Sequence, residues 1–158
     1  GTGVSINVSG PGIENARVHE KLMSFAPLLS DHKLVLEVTE TSLITQIAQA
    51  SANLNQLRQA GFSIALDDFG SGYSSLRYLS SMPVDLVKFD ISMVRSLEDM
   101  GRSSLFVEDL ARMIQDAGYA LVAEGIESEA LLHRVGEIGF SHAQGFYIGR
   151  PAPLPAQR

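Results

Sequence analysis

The sequence contains no cysteine. Disulfides and thiolate metal sites are therefore excluded, and the absence is in keeping with a reducing compartment. Basic residues are also in short supply: 12 Lys+Arg stand against 18 Asp+Glu, for a net charge of −6. That balance argues against binding DNA or RNA polymers, which calls for a basic patch. No apolar run reaches the roughly 18 residues of a membrane span, and no basic stretch followed by an apolar one reads as a secretory signal. Low-complexity tracts, linkers and charge blocks are missing as well. A cytoplasmic location is expected, with any membrane tether left to other domains of a parent chain. What is present is globular: 158 residues, 45 % apolar and 19 % charged, enough for one domain with a core.

Short β-rich runs alternate with longer helical ones. Strands are expected at 4–9, 34–40, 62–68, 85–90, 119–124 and 142–148, from β-branched or aromatic content and length. Helices are expected at 15–25, 44–60, 75–81, 102–117 and 129–138. Gly61, Gly118 and Gly139 stand where helix C-caps belong. The strand starts fall 30, 28, 23, 34 and 23 residues apart. This rhythm implies right-handed βαβ units and a parallel sheet, an α/β fold of TIM-barrel or doubly wound type. No G-x-G-x-x-G follows the first strand, which lowers the dinucleotide-binding option.

Every expected strand carries a polar group in it or just after it. These are Asn7, Glu37 with Glu40, Asp67 with Asp68, Lys88 with Asp90, Glu124 with Glu127, and Gln144. In a parallel barrel the C-terminal strand ends share one face, where such folds place their chemistry. Taken singly, each is as well read as a helix cap, a turn residue or a paired lysine. The repetition over six strands carries the functional reading. Oxygen donors without Cys or His suit hard cations such as Mg²⁺, Mn²⁺ or Ca²⁺. Adjacent Asp67 and Asp68 point to opposite sides of an ideal strand, so both reach a metal pair only if the backbone turns there. A two-metal centre serves in-line attack on a phosphodiester, with Lys88 as a cation beside developing charge. The glycine-containing loop 69–76 is suited to gating by substrate. An enolase-like barrel also places carboxylates and Lys around Mg²⁺, but the paired aspartates and the glycine loop favour phosphodiester chemistry. The four histidines are expected at surface or satisfied positions, and the five methionines as core filler.

At these residues the sequence closely resembles the EAL-domain family of cyclic-di-GMP phosphodiesterases. The matching motifs are Ile-Asn-Val-Ser (6–9), Leu-Glu-Val-Thr-Glu-Thr (36–41), Asp-Asp-Phe-Gly-Ser-Gly-Tyr-Ser-Ser-Leu (67–76), Val-Lys-Phe-Asp (87–90), Ala-Glu-Gly-Ile-Glu (123–127) and Gln-Gly-Phe-Tyr-Ile-Gly-Arg-Pro (144–151), in family order. The resemblance implies a modified TIM barrel that hydrolyses cyclic di-GMP to linear pGpG with two Mg²⁺ or Mn²⁺ ions. It implies that Asn7, Glu37 and Asp67 hold one ion, and that Asp67, Asp68 and Glu124 hold the other. Lys88 would orient the attacking water, with Glu127 and Gln144 in support. Glu40 would anchor the substrate loop that includes Phe69, Gly70, Ser71, Gly72 and Tyr73, a loop coupled to dimerisation. A non-hydrolysing cyclic-di-GMP receptor is the alternative, which the retained ligands disfavour.

The family's Glu-Ala-Leu signature does not precede Asn7, and Glu129-Ala130-Leu131 on a late helix is read as coincidence. Residues 1–158 are therefore expected to be one N-terminally truncated EAL domain, an incomplete barrel of about six βα units whose first strands are missing. By itself it is expected to be inactive. It is expected to self-associate through open barrel edges or to form a homodimer, its parent chain carrying fused sensory or cyclase domains.

Overall fold

Six runs with strand character become six parallel strands: β1 Gly3–Asn7, β2 Lys33–Thr39, β3 Ser63–Phe69, β4 Leu86–Phe89, β5 Ala120–Ala123 and β6 His142–Ala143. The computed structural model describes residues 3–39, 47–71, 79–80, 82–99 and 101–153. Each strand pairs with its sequence neighbour, giving the order β1-β2-β3-β4-β5-β6. A doubly wound sheet would reverse direction at a switch point. Uninterrupted addition to one edge is instead the wall of a TIM-type barrel, so the α/β barrel expectation holds and the doubly wound option falls.

The helices are α1 Gly10–Glu14, α2 Ala16–Met23, α3 Ile47–Gln59, α4 Ile91–Arg95, α5 Arg102–Asp116 and α6 Glu129–Ile138, with 3₁₀ turns at Ala26–Ser30 and Ser96–Glu98. Local chemistry sets their ends. Ser128 accepts from the Leu131 N–H to start α6, and Gly139 ends it in the left-handed region at φ 104°. Gly61 and Gly118 end α3 and α5 the same way. α1 and α4 were not expected from apolar periodicity, because five residues are too few to show it. Both follow a capping side chain, Ser9 and Asp90. The helix expected at 75–81 lies almost wholly outside the described residues, as do positions 44–46.

Strand alternation sorts the sheet into two faces. Leu34, Leu36 and Val38 of β2, Ile64 and Leu66 of β3, Val87 and Phe89 of β4, and Leu121 and Ala123 of β5 are buried on one face. There they join Leu54 and Leu57 of α3, Ala111 and Ile114 of α5, and Leu131 and Val135 of α6 in one continuous core. Phe89 lies at its centre, edge-on to Phe140 at 5.2 Å and tilted against Phe69 at 5.5 Å. The opposite face carries the polar residues.

Three expectations change. The sixth strand stops at Ala143 rather than running to 148. Beyond it the Gln144 carbonyl accepts from Ile126 N–H (3.0 Å), and the Ile148 and Gly149 N–H groups fold back onto the Gly145 carbonyl (3.1 and 3.0 Å), so the chain turns. In α5 the buried stripe is Ser104, Val107, Glu108, Ala111 and Ile114. That is one helical face, and it turns Leu105, Phe106 and Met113 outward. Met113 is thus not core filler, although Met82 is buried and Met23 and Met93 pack against the core. His19 on α2 has a buried Nδ1 without a hydrogen-bond partner among the described residues, where a surface or satisfied position is expected. Among the described residues no helix is long and apolar enough to cross a membrane.

Truncating Phe89 removes the ring that locks β4 between Phe69 and Phe140. Phe89→Ala is expected to lower unfolding free energy by about 3–5 kcal/mol, measured as a reduced urea midpoint at unchanged slope.

Candidate functional site

Pairing register decides which side chains meet. Asn7 lies beside Glu37, Glu37 beside Ala65, Thr39 beside Asp67, Leu86 beside Ala65 and Ala120, and Lys88 beside Val122. Neighbours in a parallel sheet share a face, and so do residues two apart along a strand. Asn7, Glu37, Asp67 and Lys88 therefore stand on the face away from the helices, near the C-terminal strand ends. Glu124 and Gln144 continue the same parity just past β5 and β6.

Lys88 sits at the middle of the row. Its ammonium donates to Glu37 Oε2 (2.8 Å) and Asp67 Oδ1 (2.7 Å) and pairs with Glu124 Oε1 (2.7 Å). These carboxylates come from β2, β3 and the end of β5 and use all three ammonium donors. Lys88 is 4 % exposed. Burial works against its charge, but hydrogen bonds to Asp67, Glu124 and Glu37 outweigh that and raise its pKa above the ordinary lysine value. Gln144 Nε2 donates to Glu124 Oε1 at 2.8 Å, fixing which way that carboxylate faces.

The adjacent aspartates meet because the backbone turns between them. β3 and β4 shift register between Leu66 and Phe69, and Asp68 takes a left-handed φ of 56°. The Ser71 N–H and Oγ both donate to the Asp68 carbonyl, at 3.1 and 2.8 Å. Asp68 thereby turns back toward the face that Asp67 already occupies. Asp67, Asp68 and Glu124 each offer an oxygen, and the three lie within 4.8 Å of one another. Burial, together with the charges of Asp67 and Asp90, raises the Asp68 pKa, against the pull of Lys88. Burial also raises that of Glu124, helped by Asp67 and Asp68 and opposed by Lys88. Three hard oxygen donors converging under mutual repulsion fit a divalent cation.

The structure thus brings together Glu37, Asp67, Asp68, Lys88, Glu124 and Gln144. Asn7 is exposed at the register position beside Glu37. Glu127 turns instead to Arg95, at 2.9 Å, on the open surface. Phe69 is buried beneath the turn, Gly70 is half-buried and Ser71 is exposed. Glu40, Gly72 and Tyr73 lie outside the described residues. An open cavity of about 570 Å³ borders Glu124 and Gln144, and Ile91, Phe146, Ile148 and Arg150 also line it. Asp90, one of the strand-end polar groups, caps α4 through the Ser92 N–H (2.9 Å), and Arg95, which the sequence does not single out, holds Glu127. An aspartate directly before Ile-Ser-Met-Val is the N-cap signal that marks α4.

Similarity to known proteins covers nearly the whole chain. A family model described as the EAL domain matches residues 1–151. The cyclic di-GMP phosphodiesterase PdeB of Shewanella oneidensis is 36 % identical over 153 residues, which is 96 % of this chain and 18 % of that protein. The PaMucR phosphodiesterase in complex with c-di-GMP superposes with a TM-score of 0.82 at 30 % identity, covering 96 % of this chain and 62 % of that one. Klebsiella pneumoniae BlrP1, solved as a manganese/cy-diGMP complex, gives a TM-score of 0.77 at 32 % identity over 90 % of this chain and 37 % of that one. The chain therefore spans a minor part of PdeB and less than two thirds of the PaMucR chain.

Removing the central cation leaves several carboxylates facing one another without a partner. Lys88→Met is expected to destabilise the metal-free protein by about 3–5 kcal/mol, seen as a lower Tm that Mn²⁺ partly restores. Folding makes Asp68 and Glu124 hold protons more tightly than they do unfolded. Each therefore costs the metal-free fold stability above its folded pKa, and the cost disappears as the pH falls through that value. Protons compete with a metal for the same oxygens. Mn²⁺ affinity, followed by calorimetry, should accordingly begin to fall at a pH above the ordinary carboxylate range.

Proposed function

The chain belongs to the EAL-domain family, and from that premise we propose that it supplies most of the active site of a divalent-metal-dependent phosphodiesterase that opens cyclic di-GMP to linear pGpG. One observation carries the reading: Asp67, Asp68 and Glu124 converge beside Lys88. A carboxylate set that only stabilised a buried lysine would not need Asp68, which makes no ion pair with Lys88 among the described residues and takes an uncommon backbone conformation to join the group.

In this reading Asn7, Glu37 and Asp67 hold one Mg²⁺ or Mn²⁺, and Asp67, Asp68 and Glu124 hold a second. Bound ions of this kind lower the pKa of water and neutralise charge on a phosphodiester. Gln144 keeps Glu124 aimed at the site. Lys88 neutralises the carboxylates while no other cation is present. Were the carboxylates to hold metal, the Lys88 ammonium would be available to the attacking water or to the developing phosphoryl charge. Glu127 supports the site from the far side of Gly125 once it leaves Arg95. The cavity beside Gln144 offers Phe146 and Ile148 as an apolar wall and Arg150 as a cation for a guanine nucleotide. Strands β1 and β6 are the sheet edges among the described residues. Pairing of an edge with further chain or with a second copy belongs to the same reading, as do a homodimer and fused signalling domains in the parent.

The test is turnover of cyclic di-GMP by a longer chain that includes upstream residues, with Mg²⁺ or Mn²⁺ present. Asp67→Asn is expected to reduce the rate by orders of magnitude. Lys88→Met is expected to do the same while keeping Mn²⁺ affinity at or above the wild-type level, since a competing cation has been removed. Absence of turnover in the unsubstituted longer chain overturns the proposal.

A further inference from the structure

β4 leaves the sheet between the two strands that bear the converging carboxylates, and α4 folds back over both exits. Main-chain bonds fix the junction on each side. Asp90 N–H donates to the Phe69 carbonyl at 3.1 Å, and Glu124 N–H donates to the Phe89 carbonyl at 3.3 Å. The side chains of α4 then divide between the two turns. The Met93 thioether fills the space that a side chain on Gly70 would need. On the other flank a Cβ on Gly125 would stand 2.7 Å from Ile91 Cγ2. Arg95 reaches Glu127 at 2.9 Å. Gly70 lies two residues after Asp68, and Gly125 directly follows Glu124.

We infer that α4 is a brace that holds the Asp68 turn and the Glu124 turn at a fixed separation, with Met93 a positioning residue for Asp68 that acts through Gly70. The metal part of this inference rests on the reading given above. Asp68 keeps a left-handed φ of 56°, which few residues with a side chain adopt and which surrounding contacts help to hold. Bonds from Ser71 close the turn from within. Among the described residues, Met93 presses on it from outside, at Gly70, itself at φ 97°. Without that pressure the turn relaxes toward ordinary backbone angles and the Asp68 carboxylate swings away from Asp67 and Glu124. Groups that orient metal ligands matter on the scale of the ligands themselves, and losing one typically weakens a metal about 10–100-fold.

The experiment compares the 158-residue chain with its Met93→Ala and Met93→Leu variants by two readouts. One is Mn²⁺ titration calorimetry. The other is amide hydrogen exchange, read in segments 67–71 and 123–127 against β2 and α6. Met93→Ala is expected to weaken Mn²⁺ about tenfold and to speed exchange in both turn segments while β2 and α6 stay protected. Met93→Leu, similar in volume, is expected to restore both. Unchanged exchange at 67–71 in Met93→Ala overturns the brace, and so does exchange that rises equally across the sheet. Faster exchange at the turns with undiminished Mn²⁺ affinity overturns the positioning role. Failure of the unsubstituted chain to bind Mn²⁺ counts against the metal reading and leaves the exchange data to decide the brace.

Discussion

A buried ammonium that must be matched by carboxylates from three strands organises this molecule. Lys88 cannot occupy the inner face of β4 without Glu37, Asp67 and Glu124, and those carboxylates could not lie so close together without Lys88. Desolvated charges of this kind are tolerated only when their geometry is held firmly. The holding is done from the opposite face, where Leu36, Ile64, Val87 and Leu121 alternate with the charged positions and pack against the helices. The hydrophobic pattern and the electrostatic pattern are thus one period-2 pattern read on its two sides. A one-residue slip of any strand would exchange them, burying carboxylates among leucines.

The cluster is also poised between two cations. With its three donors spent on carboxylates, Lys88 is an internal counter-ion, and a metal held among Asp67, Asp68 and Glu124, as proposed above, would take over part of that role. Burial first, and then the charges of neighbouring carboxylates, raise the pKa values of Asp68 and Glu124 in spite of Lys88. A divalent ion would offset that cost.

Much of this was legible in the sequence, for physical reasons. Parallel strands need hydrophobic runs, so Leu-Val-Leu-Glu-Val-Thr and Ser-Ile-Ala-Leu-Asp-Asp announce β2 and β3, and the polar residue breaking each run announces the site. What stayed hidden depended on contacts between distant segments. Asp67 and Asp68 argue for opposite faces by alternation alone, and only the register shift against β4 brings them together. Phe146-Tyr147-Ile148 has strand composition and so points to a longer sixth strand, whereas the backbone of Ile126 captures the segment. The methionines read as core filler, but in α5 Val107, Ala111 and Ile114 face the core and Met113 does not. α4 is five residues long, too short for periodicity to reveal, yet it touches both halves of the site.

The sequential strand order has a consequence for how the protein is made. Each strand docks on the one synthesised just before it, so the sheet can advance with the emerging chain. Chemistry does not build up in step. When β3 and β4 have formed, Lys88 can already engage Glu37 and Asp67, but the third converging carboxylate, Glu124, arrives with β5, and Gln144 arrives later still. A nascent chain therefore shields its early carboxylates with its own lysine and presents the full converging set only once β5 has emerged.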